Sequence, residues 1–316
     1  MAPREGTAPA PAGAAGAARP GWLARAWAAN GPGYLFLAPW LVGFLVLTLG
    51  PALISLYLSF TNFDLLRPPT WVGADNYARI FTADAKFMAS MRVTLFFVVF
   101  SVPLKLAFAL AVAVALNRGI AGLPLYRAIF YLPSLLGASV AIAVLWRQLF
   151  ARDGLVNAVL ANFGIDGPSW ISHPSYSLWT LIILSVWQFG SPMIIFLAGL
   201  RQIPTDMYEA ASLDGASKAR QFWKITLPLL TPVIFFNAVV QTIEAFKAFT
   251  PAFIISGGTG GPVNSTLFYT LYLYQEAFGF FRMGYASALA WILVVIIAAF
   301  TTLSFVSSRY WVHYND

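Results

Sequence analysis

The chain has 316 residues, of which 59% are apolar and 10% charged, with a formal net charge of +7. A water-soluble domain carries about 25% charged residues, so lipid must solvate much of this surface, and the basic excess reads as cytoplasmic loop charge rather than a nucleic-acid patch. Cysteine is absent and the only histidines are His173 and His313, which excludes disulfides and thiolate chemistry and leaves no material for a histidine metal cluster or a Ser-His-Asp triad.

Residues 1–33 are rich in Ala, Pro and Gly and carry Arg4, Arg19 and Arg25. Such a segment cannot bury enough apolar surface to offset its ordering entropy, so a disordered cytoplasmic tail is expected. It does not read as a signal peptide, because the apolar stretch behind it is long enough to be a full span. A membrane helix needs about 20 mostly apolar residues. Six runs qualify, at 34–60, 91–116, 126–150, 177–200, 225–250 and 284–308. Their apolar residues are continuous instead of alternating, which predicts helices rather than barrel strands. The expected fold is an all-α membrane protein with a six-span domain over 34–308 and a cytoplasmic tail over 309–316. Pro39, Pro51, Pro103, Pro133, Pro192 and Pro232 lie inside the runs, where neighbouring helices can satisfy the carbonyls that each proline frees. With the N-terminus inside, the cytoplasmic segments hold ten Lys or Arg against seven in the outer loops and outer span ends. That bias predicts both termini in the cytoplasm. Trp71 to Phe81 and Leu155 to Phe163 are amphipathic and are expected to form small caps over the outer face.

The inner loop 201–224 is the most informative stretch. It reads as a short helix, a break and a second helix. Thr205 is placed to cap the first helix, with Asp206 and Glu209 in its first turn. Ala210 and Ala211 leave a smooth side for a close-packed neighbour. Gly215 is suited to end the helix in the left-handed region, and Ser217 to cap the next. Pro228 sits early in the fifth span, where its missing N–H costs least.

This stretch resembles the Glu-Ala-Ala coupling-loop signature of ABC importer permeases. Glu209, Ala210, Ala211, Asp214, Gly215, Ala216, Phe222, Ile225, Leu227 and Pro228 match it at fixed spacing, between the fourth and fifth spans, where the family places it. The resemblance extends over about 280 residues. Trp71 to Tyr77 with Phe81, and the region with Gly260-Gly261-Pro262, Tyr274, Ala277, Phe278 and Gly284 to Ala288, resemble the carbohydrate-uptake branch, the maltose-type first permease subunit in particular. Where members often carry Phe-Asp before the outer Gly-rich loop, this chain has Phe249-Thr250.

The resemblance implies a type I importer permease in a bacterial cytoplasmic membrane, surrounded by lipid and assembled with three kinds of partner. These are a second homologous permease, two ATPase subunits and an extracytoplasmic solute-binding protein. The cargo it implies is a sugar or oligosaccharide, with glycerol 3-phosphate or a related polyol as the alternative. The chain has no Gly-x-x-x-x-Gly-Lys-Ser/Thr motif, so it cannot cradle ATP phosphates itself, and the resemblance implies no cofactor in this chain, with ATP and Mg bound by the ATPase partners. The Gly257 to Gly261 cluster lacks that lysine and reads as a flexible turn. The coupling helix, with Glu209, Ala210, Ala211, Asp214, Gly215 and Ala216, is expected to dock on the ATPase. No catalytic residue is expected.

Polar groups at membrane depth are the candidates for the solute path, because a charge at a helix centre costs about 2.5–3.5 kcal/mol on insertion scales. In the fifth span, Asn237, Gln241, Glu244 and Lys247 fall within roughly a third of the helical wheel, and Glu244 can pair with Lys247. Gln188 in the fourth span and Lys105 in the second are the other polar candidates. Trp187 and Tyr274 are candidate stacking faces. The competing reading of all these groups is polar glue between helices, or snorkelling at span ends. Two rival functions remain open: a gradient-driven carrier, which calls for inverted repeats, and a membrane enzyme, which calls for a nucleophile with its base.

Overall fold

The computed structural model describes residues 33, 35–117, 122–137 and 139–313, and divides the chain into two units at Ile54 and Ser55. The expected N-terminal tail lies, apart from Gly33, outside the described residues, as does the end of the C-terminal tail. The first long helix, α1, covers Leu35–Ser59. Its middle turns, Leu45–Leu49, are wound as a π-helix, and the Gly50 N–H reaches back to the Leu45 carbonyl. Pro51 follows directly. A proline ring clashes with the carbonyl four residues back, and the wider π turn makes room for it.

The second unit opens with a two-residue antiparallel ladder, β1 (Thr61–Asn62) and β2 (Thr70–Trp71), in which Thr61 faces Trp71. Helix α2 (Asp75–Thr82) is anchored on this ladder, because the Asn76 amide donates to the Ser59 and Thr61 carbonyls at 2.9 and 3.0 Å. Asp84 then starts α3 (Ala85–Leu116) by accepting the Phe87 N–H at 2.9 Å, an N-cap that satisfies one of the orphan donors. At 32 residues α3 is about 48 Å long, enough to cross a bilayer.

Predicted spans three and four are each two helices bent by more than 40°. The third is α4 (Leu123–Leu136) and α5 (Val140–Leu149); the fourth is α7 (Pro174–Trp187) and α8 (Gly190–Leu200), with α6 (Leu155–Ala161) in the connection between the pairs. The fourth bends by 42°. Pro192 explains its position: it has no N–H to offer the Gln188 carbonyl one turn back, so the helix opens there.

After α8 come α9 (Thr205–Leu213), the single turn α10 (Lys218–Gln221) and a second π segment, Phe222–Thr226, which runs into α11 (Leu227–Phe246). The chain is interrupted at 247–249 and resumes as α12 (Thr250–Ser256). The segment that follows departs from the expected flexible outer turn. Gly257, Gly258, Gly260 and Gly261 all have positive φ, and a Cβ on Gly261 would lie 2.4 Å from Thr266 Oγ1, so the turn is tightly packed. Leu267, Phe268, Tyr269, Leu271 and Tyr272, at and within α13 (Tyr269–Tyr274), are buried in the bundle core. The Tyr269 N–H donates to Thr94 Oγ1 on α3 and its hydroxyl to the Leu289 carbonyl. The last helix, α14, covers Met283–Trp311, three residues beyond the predicted end of the sixth span. The core thus centres on α3, which packs against α7, α8, α11 and α13.

Candidate functional site

Three interruptions in otherwise continuous helices lie around one space. They fall at Gly137, at Gln188 and at Lys247 to Phe249. Each frees backbone groups that hydrocarbon cannot satisfy, so irregular backbone at membrane depth survives only where protein or a wet cavity supplies partners. Here side chains supply them. Gln188 Nε2 donates to the Gly137 carbonyl at 3.0 Å, and Ser134 Oγ donates to the Gln188 carbonyl at 2.9 Å. Ser134 Oγ also accepts the Ser191 N–H at 3.0 Å. At the third interruption, Thr270 Oγ1 donates to the Ala248 carbonyl. The first two breaks therefore satisfy each other, and glycine lets them meet: a Cβ on Gly190 would sit 2.5 Å from the Phe130 carbonyl oxygen and 2.7 Å from Tyr131 Cα.

The space between the breaks is a cavity of about 220 Å³. Five of the eight residues expected from sequence to line a solute path converge on it: Lys105, Gln188, Gln241, Glu244 and Lys247. They come from three different spans. Glu244 and Lys247 form the expected pair, with Nζ to Oε1 at 3.0 Å, and their side chains are 61% and 55% exposed in the single chain. The cavity is therefore open on that flank. Buried Phe97 and Phe268, with ring centroids 4.8 Å apart, form an apolar wall.

The other three candidates lie elsewhere. Asn237 is buried and gives its amide to the Val233 carbonyl within its own helix at 3.0 Å, a structural role. Trp187 packs on Trp146, and Tyr274 sits in a cluster with Phe249, Phe253 and Phe278. Sequence reasoning missed Gly137, Ser185 and Thr250, which also line the cavity. Their signal was weak: a glycine at a helix end, a serine within a helix and a threonine before Pro251 are each common in membrane helices.

The loop 201–224 has the expected shape with one correction. Thr205 is not the cap; Pro204 holds that position and no side chain caps the helix. Gly215 does take the left-handed region, with φ +75, and the Ala216 N–H closes the helix end on the Ala211 carbonyl. Ser217 Oγ accepts the Arg220 N–H, as expected. Glu209, Ala210, Asp214 and Gly215 are exposed, while Ala211 and Ala216 are half-buried. Met207 and Leu213, passed over in the sequence, are exposed on the same helix, Leu213 at 90%. The Tyr208 hydroxyl meets Thr226 Oγ1 at 2.9 Å, and the Gln221 amide donates to Ser212 Oγ at 2.9 Å, so the loop is tied to the π segment that begins the fifth span.

At the opposite end of α3 a charged cluster joins three helices. Asp84 accepts hydroxyl hydrogen bonds from Tyr272 and Tyr285, and Arg282 pairs with buried Glu276 at 3.1 Å. Burial acts to raise the Asp84 carboxyl, but the hydrogen bonds from both tyrosines and from the backbone outweigh it and hold the group below its ordinary value.

Residues 93–312 match the family described as "binding-protein-dependent transport system inner membrane component". The chain belongs to this family. As an inner-membrane component of that kind it is a transport subunit rather than an enzyme, and the gradient-driven carrier is set aside. This permease is 54% identical to the probable ABC transporter permease protein YesP of Bacillus subtilis, over 91% of this chain and 93% of that protein. It is 34% identical to the lactose transport system permease protein LacF of Rhizobium radiobacter, over 88% and 94% of the two chains. It is 32% identical to the trehalose/maltose transport system permease protein MalF of Thermococcus litoralis, over 85% and 90%. Among solved structures, a bacterial ABC transporter involved in the import of the acidic polysaccharide alginate contains a chain with the same fold. The TM-score is 0.74 at 22% identity, over 91% of this permease and 98% of that chain.

Proposed function

We propose that this permease forms one half of the translocation path of an ABC importer for a sugar or oligosaccharide. One observation carries the reading: polar residues from three spans, separated in sequence by up to 142 positions from Lys105 to Lys247, line one cavity at the helix breaks. Amides and charges bind hydroxyls directionally, and an aromatic wall suits the apolar face of a sugar ring. The curated relatives named for lactose and for trehalose or maltose support the same cargo class.

We infer three kinds of partner, and the architecture supports each. A second permease closes the open flank of the cavity at Glu244 and Lys247. Two ATPase subunits, which bind ATP and Mg, receive the exposed face of α9, with Glu209, Ala210, Asp214 and Gly215 at the contact and Met207 and Leu213 as apolar anchors. An extracytoplasmic binding protein delivers the solute to the opposite end. Both termini and the loop 201–224 then lie in the cytoplasm, which agrees with the distribution of Lys and Arg.

The test is purification of the tagged permease from its native membrane, with identification of co-purifying chains and an ATPase assay with candidate saccharides and binding protein. Recovery of a second permease and an ATPase, with hydrolysis stimulated by a sugar-loaded binding protein, supports the reading. Stimulation only by loaded binding proteins for other solute classes would overturn the sugar assignment.

A further inference from the structure

The cavity holds two ammonium groups and one carboxylate: Lys105, Lys247 and Glu244. Lys247 is committed to Glu244 at 3.0 Å. Among the described residues no carboxylate comes within ion-pair distance of Lys105. This chain's share of the site therefore carries one surplus positive charge. It does so in the interior of a span, since Lys105 lies eleven residues, or about 16 Å, before the Leu116 end of α3. A neutral sugar would be served by amides and hydroxyls alone, and it would leave a lysine in the interior of a span without an opposing charge.

We propose that the cavity takes a saccharide bearing a carboxylate, with the Lys105 ammonium as its counter-ion. A ligand carboxylate brings the site to two positive and two negative charges. The neighbours suit the rest of such a ligand. Gln188 gives one amide N–H to the Gly137 carbonyl, which leaves its second N–H as a donor and its Oε1 as an acceptor for ligand hydroxyls. Gln241 and Ser185 offer both donors and acceptors, and Phe97 and Phe268 form the ring-facing wall. This inference rests on the proposed reading of the chain as a sugar permease.

The experiment measures uptake by the complete importer, with its own binding protein unchanged. Probes are labelled trisaccharides of galacturonate, glucuronate or mannuronate, each paired with its carboxyl-reduced neutral counterpart. Rates are normalised to assembled complex for wild type, Lys105→Gln and Lys105→Arg. The expected result is uptake of at least one acidic trisaccharide by wild type, a fall of at least tenfold in its acidic-to-neutral uptake ratio in Lys105→Gln, and recovery of most of that ratio in Lys105→Arg. Uptake of neutral sugars alone by wild type overturns the inference and leaves the sugar permease standing. So does an equal loss of both probes in Lys105→Gln, or failure of that variant to assemble where Lys105→Arg does, since each makes Lys105 a structural charge. If wild type carries no saccharide of either kind, the sugar reading falls and this inference falls with it.

Discussion

Gly190 and Ser134 show how single atoms decide the shape of this protein. The first lets two broken helices approach until a Cβ would overlap the Phe130 carbonyl; the second bridges them with one hydroxyl, accepting from one backbone group and donating to another. Gly190→Leu is expected to cost at least the 1–3 kcal/mol (approximately) typical of overpacking, seen as a lower unfolding midpoint of the purified complex. An unchanged midpoint would mean that the helices are not held this close. Asp84 offers a test by pH. Its carboxyl lies below the ordinary value of 3.8 in the folded chain, so the ionised form stabilises the fold above that pH, and the contribution is lost as pH falls through the folded-state value. Asp84→Asn removes this titration, and thermal unfolding between pH 3 and 7 should show a shallower acid limb than wild type. Parallel acid limbs would remove Asp84 from the account.

At the scale of elements, hydropathy marked the runs that form four long apolar helices and two bent helix pairs among the described residues, because long apolar runs are what a bilayer demands. It did not locate the breaks inside them. Hydropathy measures transfer into lipid, whereas a break depends on which distant side chain satisfies a freed carbonyl, and Ser134 with Gln188 are 54 positions apart. Pro192 was visible as a possible kink, but its partner was not. The buried segment at Leu267 to Tyr272 was also missed: its apolar run is too short to span, and it is buried in protein rather than lipid. The shape of the loop 201–224 was legible apart from its first cap, since the Ser217 cap and the left-handed Gly215 are local chemistry. Pro192→Ala restores an N–H one turn after Gln188, in competition with the Ser134 hydroxyl, and should draw α7 and α8 toward one straight helix. Uptake is expected to fall severalfold with little loss of folded protein, read from uptake per assembled complex. Full uptake would show that the bend is not needed for transport.

For the whole molecule, the cavity was legible as a list of polar residues and not as a place. Five of the eight candidates meet there because three spans bring them together, while Asn237, on the same helical stripe, turns out to bond its own backbone. Helical phase says which residues share a face but not which face meets a neighbour. The exposed flank of Glu244 and Lys247 has a consequence for the life of the protein in the cell. A chain synthesised without its companion leaves this carboxylate and ammonium uncovered on one flank of a membrane-embedded bundle, where charge is costly. Such an orphan should be recognised and degraded, so that the companion's supply sets how much of this subunit accumulates. Pulse-chase labelling in a strain lacking the second permease should give a half-life several times shorter than in the parent, and replacing both charged residues with leucine should lengthen it again.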